Sequence, residues 1–97
     1  MIIVAGYIRV AVKNRNVFLE ASADAVRLAR QELECLDFSV SADYVDDERV
    51  NVFERWESRS ALMSFRGGGP TDSLNALIIG AEVGEFEVHP TNEGSDT

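Results

Sequence analysis

Residues 35–66 read CLDFSVSADYVDDERVNVFERWESRSALMSFR and contain two strand patterns followed by a helix pattern. Apolar and polar residues alternate over 35–42 and again over 50–57, with the polar turn DYVDDE between them. A period of two is typical of half-buried strands, so these segments predict a β-hairpin. Ser58 then precedes Ala61, Leu62 and Phe65, whose spacing predicts a short helix capped by the serine hydroxyl.

The flanking sequence adds a strand and a helix before the hairpin and a strand after it. Residues 2–12, IIVAGYIRVAV, are too uniformly apolar for a surface strand, so we expect a central strand covered on both faces. Apolar residues spaced by three and four predict a helix over 17–33 with one inward stripe: Val17, Phe18, Ala21, Ala25, Leu28 and Ala29. GGGP at 67–70 ends the second helix. A helical turn starting at Thr71 or Asp72 and a last strand over about 81–89 complete the chain.

The resulting order, βαββαβ, predicts an α+β fold of the ferredoxin-like type. Short connections and right-handed crossovers then give a four-stranded antiparallel sheet with the helices on one face. The chain has 97 residues, enough for one domain, which we assign to 1–90, and the polar segment 91–97 is expected to be a mobile tail. The other sheet face is left open, so we expect a homodimer formed through the sheet faces.

Composition excludes several classes of function. Seventeen acidic and nine basic residues give a net charge of −8, which argues against nucleic-acid and membrane-surface binding. No apolar run approaches the roughly 20 residues needed to span a bilayer, and the start lacks the features of a signal peptide. The single cysteine, Cys35, cannot form an internal disulfide, which suits the cytoplasm. One histidine and no Cys/His cluster argue against a structural zinc site, although counting leaves a carboxylate-only metal site open.

Trp56, the only tryptophan, stands where the second hairpin strand gives way to a helix. Strand alternation places Val50, Val52 and Glu54 on its side and turns Arg55 away. The ring either fills the core or lines a pocket between sheet and helices, and the residues alone leave both open.

Glu54 shares the face of Trp56 that is expected to look towards the helices. Partial desolvation there would raise its pKa towards a value useful for a general base. The alternative is a structural ion pair with Arg27, Arg30 or Arg66.

Three segments, MIIVAGYIRV, CLDFSVSAD and FERWESRSAL, together resemble the antibiotic biosynthesis monooxygenase (ABM) family, and within it the small bacterial quinol monooxygenase-like proteins. The most specific piece is ExWES, formed by Glu54, Trp56, Glu57 and Ser58, and the resemblance covers about residues 2–89. It implies a dimeric α+β barrel in which two sheets face each other, with a pocket between each sheet and its own helices. It also implies oxidation of phenols or quinols with O2 and without metal, flavin or haem.

The function implied by the resemblance is therefore a cofactor-independent monooxygenase acting on a small phenolic, quinol or polyketide-like aromatic substrate. The expected catalytic residues are Trp56, Glu54 and Asn51. The residues expected to contact substrate are Phe18, Phe38, Leu62, Phe65 and Tyr7. Asn51 needs a bulge to reach the face of Trp56, because strict alternation places Val52 there. Tyr7 shares its strand face with Arg9, and that face is expected to belong to the dimer barrel instead.

Several departures from the family keep a second function open. Many relatives carry a histidine near the end of the second helix, where this chain has Phe65, and another a few residues on, where it has GGGP. Tyr7, Phe65 and Asn75 stand where haem-degrading relatives use Asn, Trp and His, so a haem site would have no ligand. The alternative is a non-catalytic dimeric module that binds a small apolar ligand. We expect His89 to be a solvated strand-end residue, Cys35 to pack, and 67–70 to form a flap at the pocket mouth.

Overall fold

The computed structural model describes residues 1–67 and 72–90, and within the second range it leaves out the side chains of Asp72 and Ser73. Its strands and helices, in chain order, are β1 (Ile2–Val10), α1 (Arg15–Arg30), β2 (Cys35–Ala42), β3 (Arg49–Trp56), α2 (Arg59–Gly67), α3 (Asp72–Asn75) and β4 (Ile78–Glu87). A 3-10 turn, Val12–Asn14, joins β1 to α1. The βαββαβ order predicted from the sequence is confirmed, and α3 is the helical turn predicted to start at Thr71 or Asp72. The expected flap at 67–70 and the tail at 91–97 fall almost wholly outside the described residues.

The four strands form one antiparallel sheet in the order β2-β3-β1-β4. Both longer helices cover the same sheet face, since Ala29 of α1 and Leu62 of α2 pack in one cluster with Trp56 of β3. The fold is therefore ferredoxin-like, as expected. No helix within 1–67 or 72–90 is long and apolar enough to cross a membrane.

β1 is central in the sheet but is covered on only one face. Its helix-side residues Ile2, Val4, Ile8 and Val10 are buried, whereas Tyr7 and the other residues of the opposite face are only partly covered. The expectation of two covered faces was wrong for the single chain. β1 instead supplies one core face and one open face on which Ile3 and Ala5 are followed by the polar residues Tyr7 and Arg9.

α1 turns a different stripe inward from the one predicted. Phe18, Ser22 and Ala29 are buried, while Val17 and Leu28 are exposed. These buried residues are spaced by four and seven, which fits one helical stripe. Serine is polar, so the apolar pattern did not include Ser22. Its hydroxyl donates to the carbonyl oxygen of Phe18 at 2.8 Å, which satisfies it without solvent.

A bulge near the start of β2 changes the face of two residues. The pairing with β3 shifts between Cys35 and Asp37, so that Cys35 lies opposite Trp56 and Asp37 opposite Arg55. Cys35 then packs against the core, and Leu36, which regular alternation would place on the same strand face as Phe38 and Val40, is exposed. Strict alternation cannot anticipate an extra residue in a strand.

Gly6 marks a close approach between β1 and β4. Its φ is +151°, and a Cβ there would lie 2.0 Å from the carbonyl oxygen of Glu82. Glycine is required because a side chain would collide with the neighbouring backbone.

The core consists of two clusters under the helices. One contains Ile2, Val4, Ala29, Phe38, Trp56 and Leu62. The other contains Ile8, Val10, Phe18 and Val50. α2 is capped as predicted, since the N–H of Ala61 donates to Ser58 Oγ at 3.1 Å, and Leu62 packs it against the first cluster. The space between the two clusters is not filled.

Candidate functional site

A cavity of about 360 Å³ lies between the sheet and the helices. Its walls include Val4 and Phe38 from the first core cluster and Ile8 and Phe18 from the second, so it separates the two clusters. The walls are mainly apolar. The polar or charged side chains that line it are Ser22, Glu54, Arg66 and Asn75. The volume is near the lower end of the range for small-molecule sites, roughly 300–1,000 Å³.

Glu54 is the carboxylate in the cavity wall. β3 alternation turns it inward beside Val52, and only 9% of the residue is exposed. Its Oε1 accepts a hydrogen bond from Trp56 Nε1 at 2.9 Å. Among the described residues none donates to Oε2, which leaves that oxygen available to a molecule in the cavity.

Burial raises the pKa of the Glu54 carboxyl above its ordinary value of 4.5. The Trp56 N–H and the Arg66 guanidinium oppose this rise, and the Glu85 carboxylate adds to it. The side chain is thus shifted towards the range in which a carboxylate accepts a proton from a weak acid.

The expected ion pair of Glu54 with an arginine is absent from the described residues. Arg27 pairs with Asp24, and Arg30 Nε donates to the carbonyl oxygen of Phe38 at 2.9 Å. Arg66 pairs with Glu85 instead. The interpretation of Glu54 as half of a structural ion pair was therefore wrong.

Trp56 lies behind the cavity wall. The residue is 0% exposed and does not line the cavity. Phe38 meets it edge-on, with ring centroids 6.4 Å apart, and the Phe65 ring lies 5.3 Å from it. Trp56 also borders a more polar groove of about 420 Å³ between the end of α1 and α2, without being exposed there. The ring is core, and it reaches the cavity only through its hydrogen bond to Glu54.

The structure brings together only some of the residues predicted from the sequence. Phe18, Phe38, Phe65 and Glu54 line the cavity. Leu62 does not line it, because it is fully buried in the core cluster that also holds Trp56.

Asn51 and Tyr7 lie on the opposite face of the sheet. The β1–β3 register runs unbroken from Ile2–Trp56 to Arg9–Arg49, so no bulge turns Asn51 towards the helices. Asn51 Nδ2 instead donates to Asp43 at 3.0 Å. The Tyr7 hydroxyl donates to Glu82, and the Arg49 guanidinium lies 4.0 Å from its ring centre. Neither residue reaches the cavity.

Arg66 is a cavity residue that we did not single out from the sequence as part of a site. It stands in the last turn of α2, and its NH1 donates to Glu85 Oε2 on β4. Glu85 Oε1 accepts from Arg59 NH1 at 3.0 Å. The two guanidinium groups lower the pKa of the Glu85 carboxyl. A usable signal was present, because Leu62, Phe65 and Arg66 fall at i, i+3 and i+4, on one helix face.

Two further candidates lie apart from the cavity. Burial raises the pKa of the Cys35 thiol, which makes it a poor nucleophile and agrees with a packing role. His89 is exposed beyond the end of β4. Within 1–67 and 72–90 no three His, Cys, Asp or Glu side chains are grouped to hold a metal ion. The expectation of a protein without metal, flavin or haem stays a prediction.

The chain belongs to the antibiotic biosynthesis monooxygenase family. The sequence model of that family matches residues 1–70, which include β1, β2, β3, α2 and the ExWES segment. A comparison with curated proteins finds no match. The resemblance seen in the sequence is thereby confirmed at the level of the family.

Solved structures share the fold over most of the chain. A Deinococcus radiodurans protein described as a "putative antibiotic biosynthesis monooxygenase" is 20% identical, with a TM-score of 0.81 over 94% of this chain and 95% of its own. A Nitrosomonas europaea protein with the same description is 14% identical, with a TM-score of 0.79 over 91% and 98% of the two chains. Rv0793 from Mycobacterium tuberculosis is 18% identical, with a TM-score of 0.78 over 94% and 97%. At these identities the likeness establishes the fold alone.

Proposed function

We propose that the protein is a cofactor-independent monooxygenase that oxidises a small phenol or quinol with O2. One observation carries the proposal: an apolar cavity of about 360 Å³ has the buried carboxylate of Glu54 in its wall. Family membership supports the reaction class.

The proposed chemistry needs little from the protein beyond this cavity. Glu54 accepts the proton of a substrate hydroxyl, and the resulting phenolate or quinolate supplies electrons to O2. One oxygen atom enters a ring carbon and the other leaves as water. A hydroquinone and O2 thus give a hydroxyquinone and water, with every electron coming from the substrate. The apolar walls exclude bulk water and keep the ionised ring close to O2.

The cavity dimensions favour a small substrate. A volume near the lower limit for ligand sites suits one or two aromatic rings better than a larger polyketide. The rings of Phe18, Phe38 and Phe65 are available for stacked or edge-to-face contacts with such a substrate.

Oxygen uptake tests the proposed function. We expect the protein, purified without added cofactor, to consume O2 with at least one substituted hydroquinone, and we expect ¹⁸O2 to place one labelled atom in the product. A matched variant, Val52→Phe, adds a ring to the cavity wall and should suppress uptake while leaving the fold intact. Binding of quinols without any O2 uptake would favour the non-catalytic binding module instead.

We further propose a homodimer joined through the open sheet faces. Phe86 is exposed on that face, and β1 pairing places it beside Ile3. Phe53 lies beside Ala5 in the same way, which extends the apolar area. Such interfaces commonly bury about 2,000 Å² or more in total.

The dimer is tested by sedimentation at micromolar concentration. The protein should sediment as a dimer, and Phe86→Glu should shift it towards monomer because a charge would be buried at the interface. Leu33→Glu is the matched control, since Leu33 is 97% exposed in the loop after α1. A monomeric parent protein would contradict the proposal.

A further inference from the structure

Among the described residues, two charged side chains line the cavity, and they lie at different depths. Glu54 is 9% exposed, whereas the Arg66 side chain is 40% exposed although it also lines the cavity. A side chain that both lines a cavity and reaches solvent stands at its opening. The carboxylate is therefore deep and the guanidinium is at the rim.

Two guanidinium groups stand beside the cavity opening and share one carboxylate among the described residues. Arg59 and Arg66 of α2 share one carboxylate, Glu85 of β4, and each of its oxygens accepts from a different guanidinium. The second carboxylate of the site, Glu54, lies deeper, so the guanidinium groups are the charges nearest the opening among these four side chains, although the whole chain has a net charge of −8. Such a rim attracts an anion to a protein that otherwise repels anions.

The guanidinium of Arg66 has N–H groups that make no hydrogen bond to the described residues. Among the described residues only its NH1 makes a hydrogen bond, to Glu85. A guanidinium presents five N–H groups in a planar fork that matches a carboxylate. Arg59 pairs with Glu85 in the same way but does not line the cavity.

We propose that Arg66 binds a carboxylate on the substrate, so that the site takes an aromatic acid bearing a phenol or quinol group, as in a dihydroxybenzoate. This rests on the proposed function and narrows its substrate class. The two ends of the cavity then bind different groups of the substrate. The substrate carboxylate stays at the hydrated rim, where Arg66 pairs with it, and the hydroxyl points inward to Glu54. The reverse orientation would bury the anion against a carboxylate, which is unfavourable.

The test is ligand binding in the absence of O2, measured by isothermal titration calorimetry. The probes are 2,5-dihydroxybenzoate and hydroquinone, which differ by the carboxylate alone. We expect the wild-type protein to bind the acid about 10- to 100-fold more tightly, the usual effect of a charge-assisted hydrogen bond. Arg66→Gln should abolish that preference, and Arg66→Lys should retain only part of it, because lysine lacks the planar fork.

Arg59→Gln is the matched control, because it also removes one partner of Glu85. It should keep the preference for the acid. Equal loss in both variants, or no preference in the wild-type protein, would overturn the inference. The binding assay also separates the two proposals. Selective binding without turnover removes the monooxygenase and leaves the carboxylate site, whereas turnover without selectivity removes only the carboxylate site.

Discussion

Glu54→Gln is expected to lower kcat/KM for a quinol by about 10²- to 10⁴-fold, the usual contribution of a positioned general base. Glutamine is close to the same size, and its carbonyl oxygen can still accept from Trp56 Nε1, which now bonds the carboxylate. The substitution therefore removes the proton acceptor while the cavity wall keeps its shape. Oxygen uptake under saturating O2 provides the measurement.

The pH profile distinguishes a lost base from a damaged site. In the wild-type protein, activity should rise with pH as Glu54 ionises, with an inflection above its ordinary pKa of 4.5 because burial raises the pKa. The variant should lack that inflection. It should recover much of its rate above a pH of about 10, where a phenol ionises unaided. A variant as active as the wild type at pH 7 would show that Glu54 is not the base.

The pH dependence of the free energy of unfolding provides a second test of Glu54. The pKa of the Glu54 carboxyl is higher in the folded state than in the unfolded state, so the folded state binds the proton more tightly. The free energy of unfolding therefore falls as the pH rises from the pKa of the unfolded state through the pKa of the folded state. Glutamine does not titrate. Relative to the wild type, Glu54→Gln should therefore gain stability between pH 4 and pH 7.

Trp56→Ala is expected to lower the free energy of unfolding by about 3–5 kcal/mol, since it removes a large and fully buried ring from the core. That is a substantial part of the 5–15 kcal/mol typical of whole domains. A domain of about 5 kcal/mol, the low end of that range, would be left marginally stable by this loss. Denaturant unfolding followed by circular dichroism measures the loss.

Trp56→Phe separates the packing of the ring from its hydrogen bond. Phenylalanine retains much of the contact with Phe38 and Phe65 but removes the N–H that Glu54 accepts. We expect a loss of about 1–3 kcal/mol for the unsatisfied buried group, together with a higher pKa of Glu54. Trp56→Ala with wild-type stability would contradict the assignment of the ring to the core.

The sequence was sufficient to predict the topology and to predict which face of β3 is turned towards the helices. Alternation placed Val50, Glu54 and Trp56 on one side, and β3 keeps a regular register with β1, so the period of two held along its whole length. The same rule misplaced Leu36, because a bulge in β2 inserts one residue that periodicity cannot show. In α1 the true stripe passed through Ser22, whose hydroxyl is satisfied by its own helix.

The candidate site was only partly predictable. Phe18 and Phe65 were predicted because helical apolar spacing turns them inward. Phe38 and Glu54 were predicted because strand alternation does the same. Arg66 was missed as a cavity residue because a charged side chain at the end of a helix is usually solvated, and its position depends on Glu85 from a distant strand. Tyr7 and Asn51 were drawn from the resemblance, and their strand parity places them on the open face.

The most direct test of the central claim is a crystal structure of the protein with 2,5-dihydroxybenzoate bound under anaerobic conditions. We expect the ring in the cavity among Phe18, Phe38 and Phe65, with one hydroxyl about 2.6–3.2 Å from a Glu54 oxygen. The carboxylate should lie against Arg66. A ring bound instead in the groove between α1 and α2, or on the open sheet face, would show that this cavity is not the substrate site.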